Sequence, residues 1–303
     1  YSMFEQNKAK TELHGRDTMA EIGVVVLWSL RALFEGLWPS QNHRGEPWAA
    51  GTAEATLAGQ PLAGGYFGVT WLVKGDLDYF TKTLHLRSYN ANEPCDLCPC
   101  DKNKDKTWWP TNFGPASAWK ANLLQPAAWR ALYPEGLHWL FSLEYLSNLN
   151  IEPDELHIIY IGTSQYMLGS VLWMLAYSVL AGTPMDNMAL VWERISQLYT
   201  TNRISCQYTS LGLSSFHEID TKYPNRASNK HFPKLKGKGA ELKGLAPVLL
   251  AVWNEFASVT DENTLVAAVL RHQCDLQGTI DEHSTELFLP VEAAAAPQKS
   301  VVD

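Results

Sequence analysis

In the segment KGDLDYFTKTLHLRSYNANEPCDLCPC, residues 74–100, two carboxylates close an apolar run and three thiols follow within six positions. Cys95 and Cys98 form a Cys-x-x-Cys pair. That spacing turns both sulfurs to one side of a tight turn, which is the bite a tetrahedral Zn2+ needs. Pro94 and Pro99 stiffen the turn, and Cys100 adds a third thiol. A structural zinc takes four ligands. The favoured distant donor is His157, in Asp154-Glu155-Leu156-His157. Without metal, the same thiols would be a redox pair or an incidental surface cluster.

The carboxylates suggest different chemistry. Asp76 follows the apolar stretch GYFGVTWLV, 65–73, and Gly75. An acid at the end of a strand is where α/β enzymes acting on nucleic acids hold Mg2+, because the strand end fixes a hard oxygen ligand rigidly. Asp76 also suits the N-cap of a helix beginning at Leu77, and the two roles are compatible. Asp78 is then expected to face solvent. A second acid, Glu241, stands alone among seven bases in TKYPNRASNKHFPKLKGKGAELK, residues 221–243. This is a local phosphate-attracting stretch, in which Lys234, Lys236 and Lys238 are the candidate DNA contacts. The plainer reading is a solvated loop whose Glu241 stabilises a helix N-terminus.

The elements that must position these groups follow from the apolar pattern. GYFGVTWLV, short, aromatic and β-branched between glycines, predicts a strand, and LDYFTKTLHL, 77–86, predicts a short helix. Residues 20–38 fit either a strand followed by a helix or one long helix. From Trp108 to Leu149 the spacing of Trp119, Leu123, Trp129, Leu132, Leu137, Leu140 and Phe141 predicts several helices. Residues 189–202 continue that pattern. Residues 232–257 predict an amphipathic helix interrupted near Pro247.

Composition bounds the function. The chain has 303 residues, 46% of them hydrophobic, enough for one large domain or a domain with a sizeable insertion. Five cysteines is an odd number, and their clustering fits a reducing compartment better than a disulfide framework. A net charge of -8 opposes coating of nucleic acid or membrane by the average field, so any DNA contact needs a local basic surface. Residues 158–185 contain no Asp, Glu, Lys or Arg and are long enough to cross a bilayer core of about 30 Å. Their internal Thr163, Ser164, Gln165 and Ser170, and the lack of Lys/Arg flanks, favour a buried core helix, with no membrane association expected.

Taken in order, GDLDYF, NEPCDLCPC, DELHIIYIGTSQYMLGSVL and KLKGKGAELKGL resemble the catalytic region of cut-and-paste DNA transposases of the broad CACTA- and Plavaka-like kind. The resemblance covers roughly residues 66–256. It implies an α/β fold with an RNase H-like core, interrupted by a large, mainly helical insertion. Residues 1–90 would be the N-terminal part of the core, 91–230 the insertion with the CxxC motif, 231–290 the C-terminal helical part and 291–303 a disordered tail. It implies Asp76 as the second catalytic acid, Cys95 and Cys98 as the CxxC, Asp154 and His157 as the ends of a DxxH motif, and Glu241 as the final acid. Catalytic Mg2+ or Mn2+, structural Zn2+, DNA transposon ends as partner, a homo-oligomer and a nuclear location follow from the same likeness. The first catalytic acid has no match within a strand. Asp17 precedes the apolar run at 21–28 and does not lie within a strand, so that acid is expected to be upstream of Tyr1 or lost, and the chain as it stands is expected not to cleave DNA. The rival expectation is a catalytically dead, zinc-stabilised module retained for binding DNA or protein.

Overall fold

The computed structural model describes residues 18–217 and 233–286, with Pro290, Glu292 and Ala293. Asp17, the bases Lys222, Arg226 and Lys230, and most of the expected tail lie outside the described residues. Over the described residues the chain is mixed α/β, about 54% helical with one two-stranded parallel sheet. The sheet is too small to supply a core. It divides into two compact units, Tyr1–Asp154 and Glu155–Asp303, a boundary that falls inside the expected 91–230 insertion.

In the first unit, residues 20–38 resolve into a single helix, α1 (Thr18–Glu35). Each β-branched residue of Val24-Val25-Val26 costs only a few tenths of a kcal/mol in a helix, and neighbouring Leu and Ala offset that. Gly36, at φ 69°, ends α1 in a left-handed conformation that a side chain would resist. After a short helix α2 (Ala53–Leu57), capped by Thr52, comes strand β1 (Val73–Gly75). The strand predicted over 65–73 is corrected to these three residues. Among the described residues, 66–72 finds no ladder partner, because β2 (Ile151–Pro153) is itself only three residues long.

β1 and β2 run parallel, with Val73 opposite Ile151, Lys74 opposite Glu152 and Gly75 opposite Pro153. A Lys74–Glu152 ion pair of 3.4 Å crosses the ladder. Helix α3 (Leu77–Lys82) follows β1 directly and starts where expected, but ends four residues short of the predicted Leu86. The helices predicted from 108 to 149 are corrected to a single short helix, α4 (Pro126–Arg130), and a series of 3-10 turns. Pro110, Pro115, Pro126 and Pro134, with Gly114 and Gly136, interrupt every longer helix there. The apolar spacing is satisfied instead by turns wrapped around Trp129. That side chain is fully buried with Phe141, Leu143 and Leu146, against Phe80 and Leu84 from the region of α3.

The second unit is helical: α5 (Leu156–Val179), α6 (Pro184–Thr201), α7 (Gly239–Phe256) and α8 (Asp261–Glu282). The uncharged segment forms α5, whose ends Leu156–Ser164 and Leu175–Val179 are wound in wide π-type turns. By length and composition α5 could cross a membrane, yet Leu168, Leu172 and Leu175 are fully buried against the other helices of the unit. The break expected at Pro247 is corrected, since α7 runs straight through it. Proline lacks the N–H that would satisfy the Lys243 carbonyl, and Gln277 Nε2 of α8 donates to that oxygen at 2.9 Å instead.

Gly169 sits in the middle of α5 where the 233–235 segment crosses it, with Leu235 N–H bonded to Gln165 O at 3.0 Å. A Cβ there would lie 2.4 Å from Pro233 O, a backbone atom that cannot swing away. Gly169→Ala gains up to ~1 kcal/mol in helix propensity but incurs an overpacking cost of ~1–3 kcal/mol, so a net loss of about 1–2 kcal/mol is expected. Denaturant titration checks this, and unchanged or increased stability would show that the crossing is looser than described.

Candidate metal centre

Among the described residues, the cysteine turn is a cluster of side chains that could hold a metal ion. The Sγ atoms of Cys95, Cys98 and Cys100 all lie within 4.8 Å of one another. Ligands at a Zn–S distance of ~2.3 Å in a tetrahedron stand roughly 3.8 Å apart, so a small contraction of this triad encloses an ion. Cys98 and Cys100 are buried and Cys95 is half-buried. Leu97 N–H donates to Cys95 Sγ at 3.3 Å, a contact that lowers the Cys95 pKa but is outweighed there by Cys98 and burial.

The three thiols do not titrate alike. The hydrogen bond between Cys95 and Cys98, the largest influence on both, holds Cys98 below the ordinary thiol range and pushes Cys95 well above it. Burial pushes Cys100 up. Cys98 is therefore the sulfur that ionises first, as a ligand must before it binds zinc.

Long-range bonds hold the turn from both sides. Asp96 Oδ1 accepts from Trp129 Nε1 at 2.9 Å and from the Tyr133 hydroxyl. Asn148 Nδ2 donates to Asp96 O at 3.0 Å and to Leu124 O at 2.8 Å, and Leu124 N–H donates to Leu97 O at 2.9 Å. Arg87 donates to Cys95 O at 3.4 Å while pairing with Glu93 at 2.7 Å. The inner residues of the turn, Asp96 and Leu97, are thus tied to chain 27 to 52 positions away. Sequence reading missed this use of Asp96, because its donors are remote in sequence.

Within residues 18–154 no further His, Cys, Asp or Glu joins the three thiols. His157, the favoured distant ligand, is exposed on the first turn of α5 and belongs to the second unit. Sulfur donors suit zinc, so the cysteine triad fits part of a zinc site.

The acids fall into two places. Asp76 directly follows β1 and caps α3, its Oδ1 accepting from Tyr79 N–H at 2.5 Å. Asp154 directly follows β2, and its N–H donates to Gly75 O at 2.8 Å, which extends the ladder by one step. The register therefore sets Asp76 beside Asp154 at the carboxyl ends of two parallel strands, a separation of roughly 5 Å between backbones. This juxtaposition was invisible in the sequence, where Asp154 reads only as the start of DELH. Asp78 is exposed and pairs with Lys82 at 2.7 Å.

Glu241 lies in the first turn of α7, where its Oε2 accepts from Lys238 N–H at 2.7 Å. The first residue of α7, Gly239, packs against Leu156 and Tyr160 of α5, so Glu241 and His157 stand on neighbouring helices of one unit. Of the candidate DNA contacts, Lys236 and Lys238 are exposed and Lys234 is half-buried. Lys234 lies over the Tyr166 ring at 5.4 Å, and Lys236 Nζ donates to Ser214 O at 3.1 Å. Compared with family models, curated proteins and solved structures, the chain matches none of them.

Proposed function

We propose that this chain is a transposase-like catalytic region of RNase H-like type, which cleaves and joins DNA strands with Mg2+ or Mn2+ and is stabilised by zinc at Cys95, Cys98 and Cys100. The observation that supports this most is the register that sets Asp76 and Asp154 side by side at two parallel strand ends. Hard oxygen donors on a rigid backbone suit a divalent ion of the Mg2+ class. In this reading Asp154, beside Asp76 in the first unit, supplies the strand-end acid that the sequence alone leaves upstream of Tyr1. The metal's contribution is to activate water or a 3′-hydroxyl for in-line attack on a phosphodiester. The protein's part is to fix the carboxylates, which β1, β2 and the α3 cap do. Transposon ends are the substrate, and Lys234, Lys236 and Lys238 belong to its phosphate-binding surface.

A second reading, a catalytically dead zinc-stabilised binding module, is favoured by the engagement of Asp76 as a helix cap. One substitution separates the two. Asn caps helices about as well as Asp, so Asp76→Asn should leave thermal unfolding nearly unchanged. It should also lower Mg2+-dependent nicking of terminal-repeat DNA by at least about a hundredfold, the scale of losing one preorganised electrostatic contact. Asp154→Asn should do the same. Folded, zinc-loaded protein that nicks no DNA with either metal favours the second reading.

A further inference from the structure

We infer that residues 102–120, immediately after the cysteine turn, form a binding surface for single-stranded DNA. The inference rests on the DNA-processing reading for its choice of ligand and concerns a surface that reading does not use. In this stretch Lys102, Lys104, Lys106 and Lys120 outnumber Asp105 and the adjoining Asp101, which pairs with Lys104 at 4.0 Å, whereas the whole chain is acidic; Lys102 and Lys120 also donate to the carbonyls of Ala91 and Phe113. Four aromatic rings, Trp108, Trp109, Phe113 and Trp119, lie between Lys106 and Lys120 in the same stretch. Ammonium groups lie over three of them: Lys104 over Trp108 at 4.7 Å, Lys106 over Trp109 at 5.9 Å and Lys120 over Trp119 at 5.8 Å.

The rings are anchored by their edges. Trp109 Nε1 donates to Lys104 O and Trp119 Nε1 to Asn112 O, both at 3.0 Å, while Asn112 Nδ2 donates to Lys106 O at 3.0 Å. Phe113 stands edge-on to Trp119 at 5.8 Å. Trp109 remains 38% exposed and Phe113 70% exposed. Trp109, with the Lys106 ammonium on one side of its ring, and the exposed Phe113 thus offer aromatic surface among cations, and the anchored indole loses little freedom when a base stacks on it. Base stacking combined with a basic track is how unpaired nucleic acid is held without regard to sequence, and duplex DNA, with its bases already stacked, cannot use the rings. An acidic peptide would use the lysines but has no need of open ring faces.

The frame is continuous with the thiols: Asp101 N–H donates to Trp108 O at 2.9 Å, and Asp101 Oδ1 accepts from Asn103 N–H at 2.8 Å. The surface is therefore held by the same turn that gathers the sulfurs.

The test is fluorescence anisotropy of the 303-residue protein with a labelled oligothymidylate of about 12 nucleotides, in buffer without divalent ions. Trp109→Leu and Phe113→Leu should each weaken binding by about 5- to 100-fold, the range for losing one stacked base. Trp109→Phe, which keeps a ring face but loses the same indole N–H, should stay within about threefold of the parent, and this separates stacking from misfolding. Lys104→Ala with Lys106→Ala should flatten the salt dependence of log K by about 1.4, two phosphates' worth on a single strand. Ring variants without effect, equal affinity for a duplex of the same length, or equal displacement by polyglutamate would each overturn the inference. Because no divalent ion is present, absence of nicking leaves this result standing, and loss of binding leaves the carboxylate assignment standing.

Discussion

Cys98→Ser is expected to abolish zinc binding and to lower the stability of the first unit more than any surface substitution there. Purified protein should carry about one equivalent of zinc, and the variant close to none, by elemental analysis. The binding free energy of a structural zinc is folding free energy, with apparent values of ~10–16 kcal/mol in small peptides at pH 7. Here the turn is already gathered by the bonds from Asn148, Trp129 and Leu124, so several kcal/mol is the expected share. A chelator should bring the parent to the melting temperature of the variant, and the variant should not respond. Protein that holds no metal, or whose melting temperature ignores the chelator, would remove the zinc assignment.

Trp129→Ala should have the next largest effect. Its side chain is fully buried, meets Phe141 edge-on at 5.1 Å and Tyr133 at 5.7 Å, and donates to Asp96. Truncating a buried tryptophan costs about 3–5 kcal/mol. Asp96 also loses one of its two side-chain donors, which adds about 1–3 kcal/mol. Domains are stable by only ~5–15 kcal/mol, so the first unit should lose a large share of its stability. Trp129→Phe keeps most of the apolar volume and loses only the N–H, so it should cost about 1–3 kcal/mol. Chemical denaturation of the two variants measures both contributions, and similar losses would mean that the hydrogen bond to Asp96, rather than packing, dominates at this position.

What the sequence disclosed was local. The thiol turn was readable because its three sulfurs lie within six residues. Asp76 was readable as a strand-end and helix-capping acid because Gly75 precedes it and an apolar helical run follows. Glu241 was readable as a first-turn acid for the same kind of reason. What failed depended on distant partners. Apolar spacing from 108 to 149 suits a helix, but turns can present the same residues to Trp129, and the prolines decide between them. Pro247 reads as a break unless Gln277, on another helix, takes up the orphaned carbonyl. Asp154 gained its neighbour only through pairing with a strand it does not resemble, since Ile151-Glu152-Pro153 carries no strand signal of its own.

The parallel pairing of β1 with β2 constrains the order in which the chain can fold. Everything from 76 to 150 is an excursion between the two strands, and closing a flexible loop of that length costs roughly 4 kcal/mol in chain entropy. A ladder of three residues cannot offset that cost by itself. The strands must therefore wait until the excursion has condensed around Trp129 and the cysteine turn, whose contacts are shorter in range and form earlier. Asp76 and Asp154 meet only at the end of that sequence, so their pairing is assembled last and depends on the integrity of all the chain between them.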